Sequence, residues 1–366
     1  MLPMNPMPLR ILMTTDCVGG VWRYAVDVCS ALARQGVQVG LVCLGPSPSP
    51  AQLQEAREAG IELICLDAEL DWMAKDSDAI HAGAIALDEL VRDWSPTVVH
   101  LNAPALAGFM EQTVPTVSTA HSCLGTWWSA VRRVRFPDDK AWYLRVVKAG
   151  LSATDMVLVP TRAFGEALAA TYGPLRNLHV LPNGTRPIPP ESKGNFAFAA
   201  GRWWDDGKNA RVLDAAAALT SSPVYAAGPL IGPDGTAAAF HVVRWAGDLR
   251  YVDVRDWFAR TPIFVSTAFY EPFGLAVLEA ASAGAALVLS DIPTFRELWD
   301  RAAVFVDPRQ PEAVAEAIDF LSENEAARER LVRAATERAC SFTVERQVAG
   351  LIDAYHGAVS AHSRAA

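Results

Sequence analysis

Glu271 and Glu279 are the residues whose type and spacing most strongly suggest chemistry. They sit in STAFYEPFGLAVLEAASAGAALVLSD, Ser266 to Asp291, where an apolar strand gives way to a Glu271-Pro272 turn and a helix opening near Phe273. Parallel sheets bind ligands at the carboxyl ends of their strands, so this turn belongs at a cleft. The first amides of the helix, at Phe273, Gly274 and Leu275, lack intrahelical acceptors and offer partial positive charge to a phosphate. Glu279 lies among Leu275, Val277, Leu278, Ala280 and Ala281, where a carboxylate is costly unless something hydrogen-bonds it. The eight-residue offset between the glutamates spans at most about 12 Å at helical rise, enough to grasp both ends of a sugar diphosphonucleoside. A plain α/β core, with Glu279 tied to backbone or to an arginine, fits the same pattern.

Three further segments place reactive types after strands. In AAGRWWDDGKNARVLDAA, Arg202 and Lys208 flank a loop leading into a helix; an arginine fork and a lysine point charge together suit a diphosphate, although Asp205 and Asp206 weaken the field. In TTDCVGGVWRYAVDVC, Gly19 and Gly20 let backbone approach another molecule closely. In TVSTAHSCLGTWW, His121 directly follows a strand. Beyond it, Trp127, Trp128 and Trp142 accompany Arg132, Arg133, Arg135, Lys140, Arg145 and Lys148 against Asp138 and Asp139. Such a stretch suits stacking on an acceptor sugar or touching an anionic lipid surface, and equally a solvated basic face over core tryptophans.

The segment EPFGLAVLEAASAG resembles the signature of the retaining family 4 glycosyltransferases, two glutamates separated by seven residues. The resemblance implies that Glu271 holds hydroxyls of a donor sugar and Glu279 the ribose, with the amides of Phe273, Gly274 and Leu275 on the donor. GR…KG in such enzymes grips the diphosphate, which implicates Arg202 and Lys208; here Trp203 and Trp204 fill the turn and Asn209 replaces the usual glycine. It also implies that Gly19, Gly20 and Asp16 line the cleft and that His121 lies beside the donor sugar. Asn183-Gly184 matches the segment entering the interdomain linker, where a simple turn is the alternative. The implied reaction is metal-independent transfer, with retention, from a nucleoside-diphosphate sugar of UDP or GDP type. The acceptor would be a saccharide, a lipid-linked saccharide or a small metabolite, and Trp127 and Trp128 are candidates to touch it. Similar enzymes dock on membranes through the region corresponding to 127–148, which makes weak peripheral contact an expectation. A sugar-nucleotide epimerase of the same architecture would need added acid/base carboxylates, and a non-catalytic sensor would lose sugar-side groups such as Glu271 and His121.

The elements that must position these residues follow from periodicity. At 366 residues the chain exceeds the size of one hydrophobic core. Short apolar runs alternate with helical segments throughout, the mark of βαβ units and parallel sheets. The Pro/Gly-rich PNGTRPIPPESKG reads as an exposed linker between two such runs. The expected α/β architecture is therefore two facing Rossmann-like domains, residues 1–185 and 190–342, with a cleft between them and a terminal helix, 343–366, crossing back onto the first and ending frayed. The resemblance names this the GT-B fold and assigns acceptor and donor to the two domains in that order.

Bulk properties narrow the partners. A formal charge of -9 and a pI near 5.3 argue against a nucleic-acid binder. Six dispersed cysteines without a CxxC pair read as reduced, mostly buried thiols of a cytoplasmic protein. The opening MLPMNPMPLR lacks an export signal's apolar run, and the longest apolar stretch, GLAVLEAASAGAALVL, is broken by Glu279. The expectation is a cytoplasmic protein, at most peripheral to the inner membrane.

Overall fold

The computed structural model describes residues 9–365; most of the opening decapeptide, on which the export reading rests, lies outside them. Seven parallel strands, β1 Arg10–Asp16, β2 Gln38–Leu44, β3 Glu62–Cys65, β4 Val98–Leu101, β5 Thr116–Thr119, β6 Met156–Val159 and β7 Leu178–Val180, form one sheet in the order β3-β2-β1-β4-β5-β6-β7. Six more, β8 Ala197–Ala200, β9 Val224–Ala227, β10 Arg244–Gly247, β11 Ile263–Ser266, β12 Ala286–Ser290 and β13 Ala303–Val306, form a second in the order β10-β9-β8-β11-β12-β13. Each half lays its first strand in the middle and reverses direction beside it, between β1 and β4 and between β8 and β11, so each sheet has one crevice at its carboxyl edge.

Strands such as β12, buried at every residue, are covered by helices on both faces, which is why they read as unbroken apolar runs. The first helix, Gly20–Arg34, buries a broad face from Trp22 to Leu32. The last, Val344–Ala365, lays Val344, Val348, Leu351, Tyr355 and Ala358 into the cluster beneath β1 and β4. It therefore crosses back onto the first sheet, but as one helix reaching Ala365 rather than with a frayed end. The helix Glu325–Ala339 escaped the sequence reading because its buried face, Ala327, Leu331, Ala335 and Ala339, is mostly alanine.

Two other expectations are corrected. Of the six unpaired cysteines only Cys29 and Cys43 are buried; Cys65 ends the edge strand β3 and Cys340 follows a helix, both at the surface. The linker is exposed only in part. Asn183, Gly184 and Thr185 are buried against the second crossing: Gly184 N–H donates to Gln347 Oε1 at 2.9 Å and Thr185 N–H to the Phe342 carbonyl at 3.1 Å. The chain thus passes between domains twice, side by side, and Asn183-Gly184 is part of that junction rather than a free turn.

The carboxyl edges of the two sheets face each other and are tied across the gap. Tyr270, just beyond β11, packs half-buried against the first domain's core, its hydroxyl 2.8 Å from Thr126 Oγ1 and accepting from Cys123 N–H at 3.2 Å. Thr161 Oγ1 donates to the Pro272 carbonyl at 3.0 Å. The Glu297 carboxylate accepts from the Arg162 and Ala163 amides at 2.9 and 2.7 Å, an anion set on the positive end of the helix Arg162–Tyr172. Tyr270→Phe keeps the ring and orphans the Cys123 amide. It should cost about 1–3 kcal/mol, read as a lowered thermal midpoint; an unchanged midpoint would mean the hydroxyl carries no part of the seam.

Candidate functional site

Five strand ends converge on the gap: β1 at Asp16, β4 before Asn102, β5 before His121, β8 before Arg202 and β11 before Glu271. On the second domain Lys208 Nζ lies 2.5 Å from Glu271 Oε2, both side chains about four-fifths buried. The loop that carries Lys208 is fixed from behind. Asn209, in the left-handed region at φ 60°, donates through Nδ2 to the Thr267 and Pro308 carbonyls at 2.9 and 2.7 Å. An asparagine tolerates this backbone, which explains how it stands in a glycine's place.

Arg202 reaches across the gap. Its guanidinium lies against Gly19, where a Cβ would overlap it, so this close approach is what the first glycine of the pair is for. Its Nε is buried with no protein partner among the described residues. Asp16 accepts from the Val18 and Gly19 amides at 2.8 and 3.3 Å. Burial raises its carboxyl above the usual range, while those amides and the Arg202 charge oppose the rise. Gly20 faces Leu275, the first residue of the helix Leu275–Ser282. That helix starts two residues later than expected, because Gly274 before it holds φ 88°.

His121 packs edge-on to Tyr24, ring centroids 4.4 Å apart, and its Nε2 is 2.8 Å from Asn102 Oδ1. Asn102 Nδ2 donates to the Thr14 carbonyl at 2.7 Å, which orients the amide. Nε2 must therefore carry the proton, leaving Nδ1 as an acceptor. Burial lowers the imidazole to about 3, so it is neutral through the physiological range.

Glu279 is 5% exposed and is bonded neither to backbone nor to an arginine. Tyr251 Oη donates to its Oε1 at 2.6 Å. The Tyr251 ring in turn carries the Arg23 guanidinium 4.4 Å over its centroid, and Arg23 from the opposite domain is held by Asp27 at 2.8 Å and by Glu55. Burial lifts the Glu279 carboxyl to about 7, against the Tyr251 hydrogen bond and the Arg23 charge.

The structure redistributes the aromatic and basic stretch. Trp127 Nε1 donates to Asp205 Oδ1 at 2.9 Å and Arg132 pairs with Asp206 at 2.6 Å, both across the gap. Asp205 and Asp206 thus tie the domains together as well as diluting the field near Lys208. Trp128 donates to the Arg135 carbonyl at 3.2 Å and packs on Phe136, and Arg135 pairs with Asp138 at 2.7 Å. The indole N–H groups of Trp127 and Trp128 are thus engaged within the protein, while Trp72 and Trp142 line an open cavity. Sequence reading missed Asp71, Trp72, Arg23 and Tyr251. The last two stand at helix starts facing the gap, a position the strand-and-helix register marks, whereas LDWMAKD carries no periodic signal. Among the described residues, no three His, Cys, Asp or Glu side chains gather as a metal-ligand set, and no helix is long and apolar enough to cross a membrane.

Residues 18–187 match the profile described as Glycosyltransferase Family 4, and residues 238–338 that of Glycosyl transferases group 1. The chain is a glycosyltransferase of the family 4 type. This transferase is 25% identical to the glycogen synthase of Mycobacterium tuberculosis over 91% of both chains. It is 32% identical to the D-inositol 3-phosphate glycosyltransferase of Paenarthrobacter aurescens over 30% of this chain and 27% of the relative. Among solved structures it resembles sucrose-phosphate synthase from Thermosynechococcus elongatus, with a TM-score of 0.77 at 17% identity over 95% of this chain and 98% of the other. Anabaena HepE in complex with UDP-glucose superposes with a TM-score of 0.75 at 16% identity over 94% and 100%. At these identities the structural likeness establishes the GT-B fold alone.

The transferase's buried Glu279 makes its stability sensitive to pH. A carboxyl raised from 4.5 to about 7 binds its proton more tightly when folded, so its contribution is fullest in acid and is lost as pH rises through about 7. Glu279→Gln keeps an acceptor for Tyr251 without the charge. Between about pH 5 and 8 the melting temperature of the wild type should therefore fall relative to the variant; parallel curves would show that Glu279 does not titrate there.

Proposed function

We propose that the transferase is a retaining, metal-independent hexosyltransferase. It moves a sugar from a nucleoside diphosphate of UDP or GDP type to a hydroxyl of a saccharide acceptor in polysaccharide or glycoconjugate synthesis. Residues 190–342 hold the donor, residues 1–185 the acceptor, and 343–366 return the chain to the first domain. The observation that carries the reading is the Lys208–Glu271 pair, set at the ends of β8 and β11 opposite Gly19 and Asp16. A carboxylate and an ammonium in contact, each reachable from the gap, match the two faces of a sugar diphosphate: hydroxyls that donate and phosphate oxygens that accept. The HepE structure was solved in complex with UDP-glucose, which supports testing uridine donors first, and the glycogen synthase relative supports a glucan acceptor. Six unpaired cysteines suit a reducing, cytoplasmic setting.

In this reading Arg202, Lys208 and the amides of Phe273, Gly274 and Leu275 hold the diphosphate. Glu271 accepts from hydroxyls of the transferred sugar, His121 Nδ1 offers a further acceptor beside it, and Glu279 takes the ribose hydroxyls. As the bond from the anomeric carbon to the phosphate oxygen breaks, its electron pair passes to the diphosphate, whose charge the two cations and the helix amides stabilise. The acceptor oxygen forms the new bond on the same face and its proton passes to the leaving phosphate oxygen.

Purified protein given UDP-, GDP- and ADP-sugars should slowly hydrolyse one of them, releasing sugar with the donor's anomeric configuration by NMR. Glu271→Ala and Lys208→Ala should each lower that rate about 100-fold or more. Intact donors with a melting-temperature shift would favour a sensor, an epimerised sugar nucleotide would favour an epimerase, and neither effect would sink all three.

A further inference from the structure

Beside the strand ends the first domain holds a cavity of about 330 Å³ that none of the residues discussed for the donor lines. Its walls are Asp71, Trp72, Lys75, Lys140, Trp142 and Tyr143. That volume is at the lower end of the range for small-molecule sites, roughly 300–1,000 Å³. The lining combines two indoles with two carboxylates, Asp71 and Asp139. Asp71 accepts from the Trp72 amide at 2.8 Å and from Tyr143 Oη at 3.3 Å, which leaves it lone pairs to accept from a ligand. Burial raises its carboxyl to about 6, so at neutral pH it is ionised and acceptor-only. The charges around the cavity, Lys75 and Lys140 against Asp71 and Asp139, sum to zero, which disfavours a strongly anionic occupant.

The cavity is wired to the donor side by two short paths. Trp72 stacks on Trp204 of the second domain, ring centroids 6.1 Å apart and 21° from parallel, and Arg202 lies 5.7 Å over the far ring. Tyr143 Oη accepts from Leu124 N–H at 3.1 Å, one residue from the Cys123 amide that donates to Tyr270, itself the neighbour of Glu271. Trp204, part of the departure from the GR…KG pattern, thereby backs the cavity wall residue Trp72 from the side of Arg202.

We propose that this cavity seats the acceptor, an uncharged sugar whose ring lies on Trp142 and whose hydroxyls donate to Asp71. The inference rests on the transferase reading and names the substrate class of its second subsite. Apolar C–H faces of a sugar pack on an indole while its hydroxyls seek carboxylate and lysine, a combination that neither a lipid tail nor a free phosphate satisfies.

The test uses the full chain with maltose and methyl α-D-mannoside as neutral probes and glucose 6-phosphate as the charged arm, read by saturation-transfer NMR and by transfer kinetics. A neutral sugar should bind, and Trp142→Ala should raise its Kd and the acceptor KM by about tenfold while the donor KM moves less than about twofold. Trp142→Phe should recover most of the loss. Should Trp142→Ala fold poorly, Asp71→Asn serves the same comparison. No probe binding, preferential binding of glucose 6-phosphate, or donor and acceptor KM rising together would overturn the proposal. Donor hydrolysis without sugar binding would sink this inference alone, whereas no donor turnover at all would sink the transferase reading first.

Discussion

Everything at the centre of this molecule depends on hydrogen bonds that hold two parallel sheets carboxyl edge to carboxyl edge. A single doubly wound sheet offers one crevice with helix amides and a few side chains. Facing two of them doubles the polar groups available but also buries them, and buried polar groups must be satisfied. Tyr270, Thr161 and Asp205 do this across the gap, and the exposed Glu297 and Asp206 add further contacts at its rim. Several of these are immediate neighbours of the candidate site groups: Tyr270 precedes Glu271, and Asp205 and Asp206 stand within the loop between Arg202 and Lys208. The residues that fix the domains relative to one another and those that would hold the ligand thus share the same backbone turns, so the seam and the site cannot be altered independently.

The fold was legible because its information is periodic. Apolar runs of four to seven residues separated by helical segments, as in β1 and β8 with their following helices, specify parallel strands and their order of appearance. Where periodicity fails the reading fails with it: alanine-rich Glu325–Ala339 has too little apolar contrast, and Asn183-Gly184 looks like a turn because nothing local reveals that the terminal helix returns to cover it. The strand-end residues Glu271, Arg202, His121 and Asp16 were legible for a related reason, since position after a strand is itself a local property.

The roles of neighbouring residues were not local. Asp205 and Asp206 read as charges that weaken a phosphate site, yet their partners, Trp127 and Arg132, lie more than seventy positions away. Trp127 and Trp128 read as acceptor candidates because indoles beside cations often are, but their N–H groups are engaged within the protein. Which indoles face a cavity is decided by tertiary packing, and it places Trp72 and Trp142 together on one.

Glu279 shows how such long-range packing sets chemistry. A carboxylate inside an apolar helix would by desolvation alone be neutral, and the sequence required only that something bond it. The partner is a tyrosine whose ring is overlain by an arginine from the other domain, and that arginine is anchored by Asp27 and Glu55 on its own side. The cation favours the ionised carboxylate, while Asp27 beside it works in the opposite direction. The result is a carboxyl near neutrality, able to accept from hydroxyls once ionised, whose protonation depends on both domains being in place. Arg23 therefore acts on the second domain's Glu279 carboxylate without touching it, and the distance between the two sheets becomes a determinant of charge at the site.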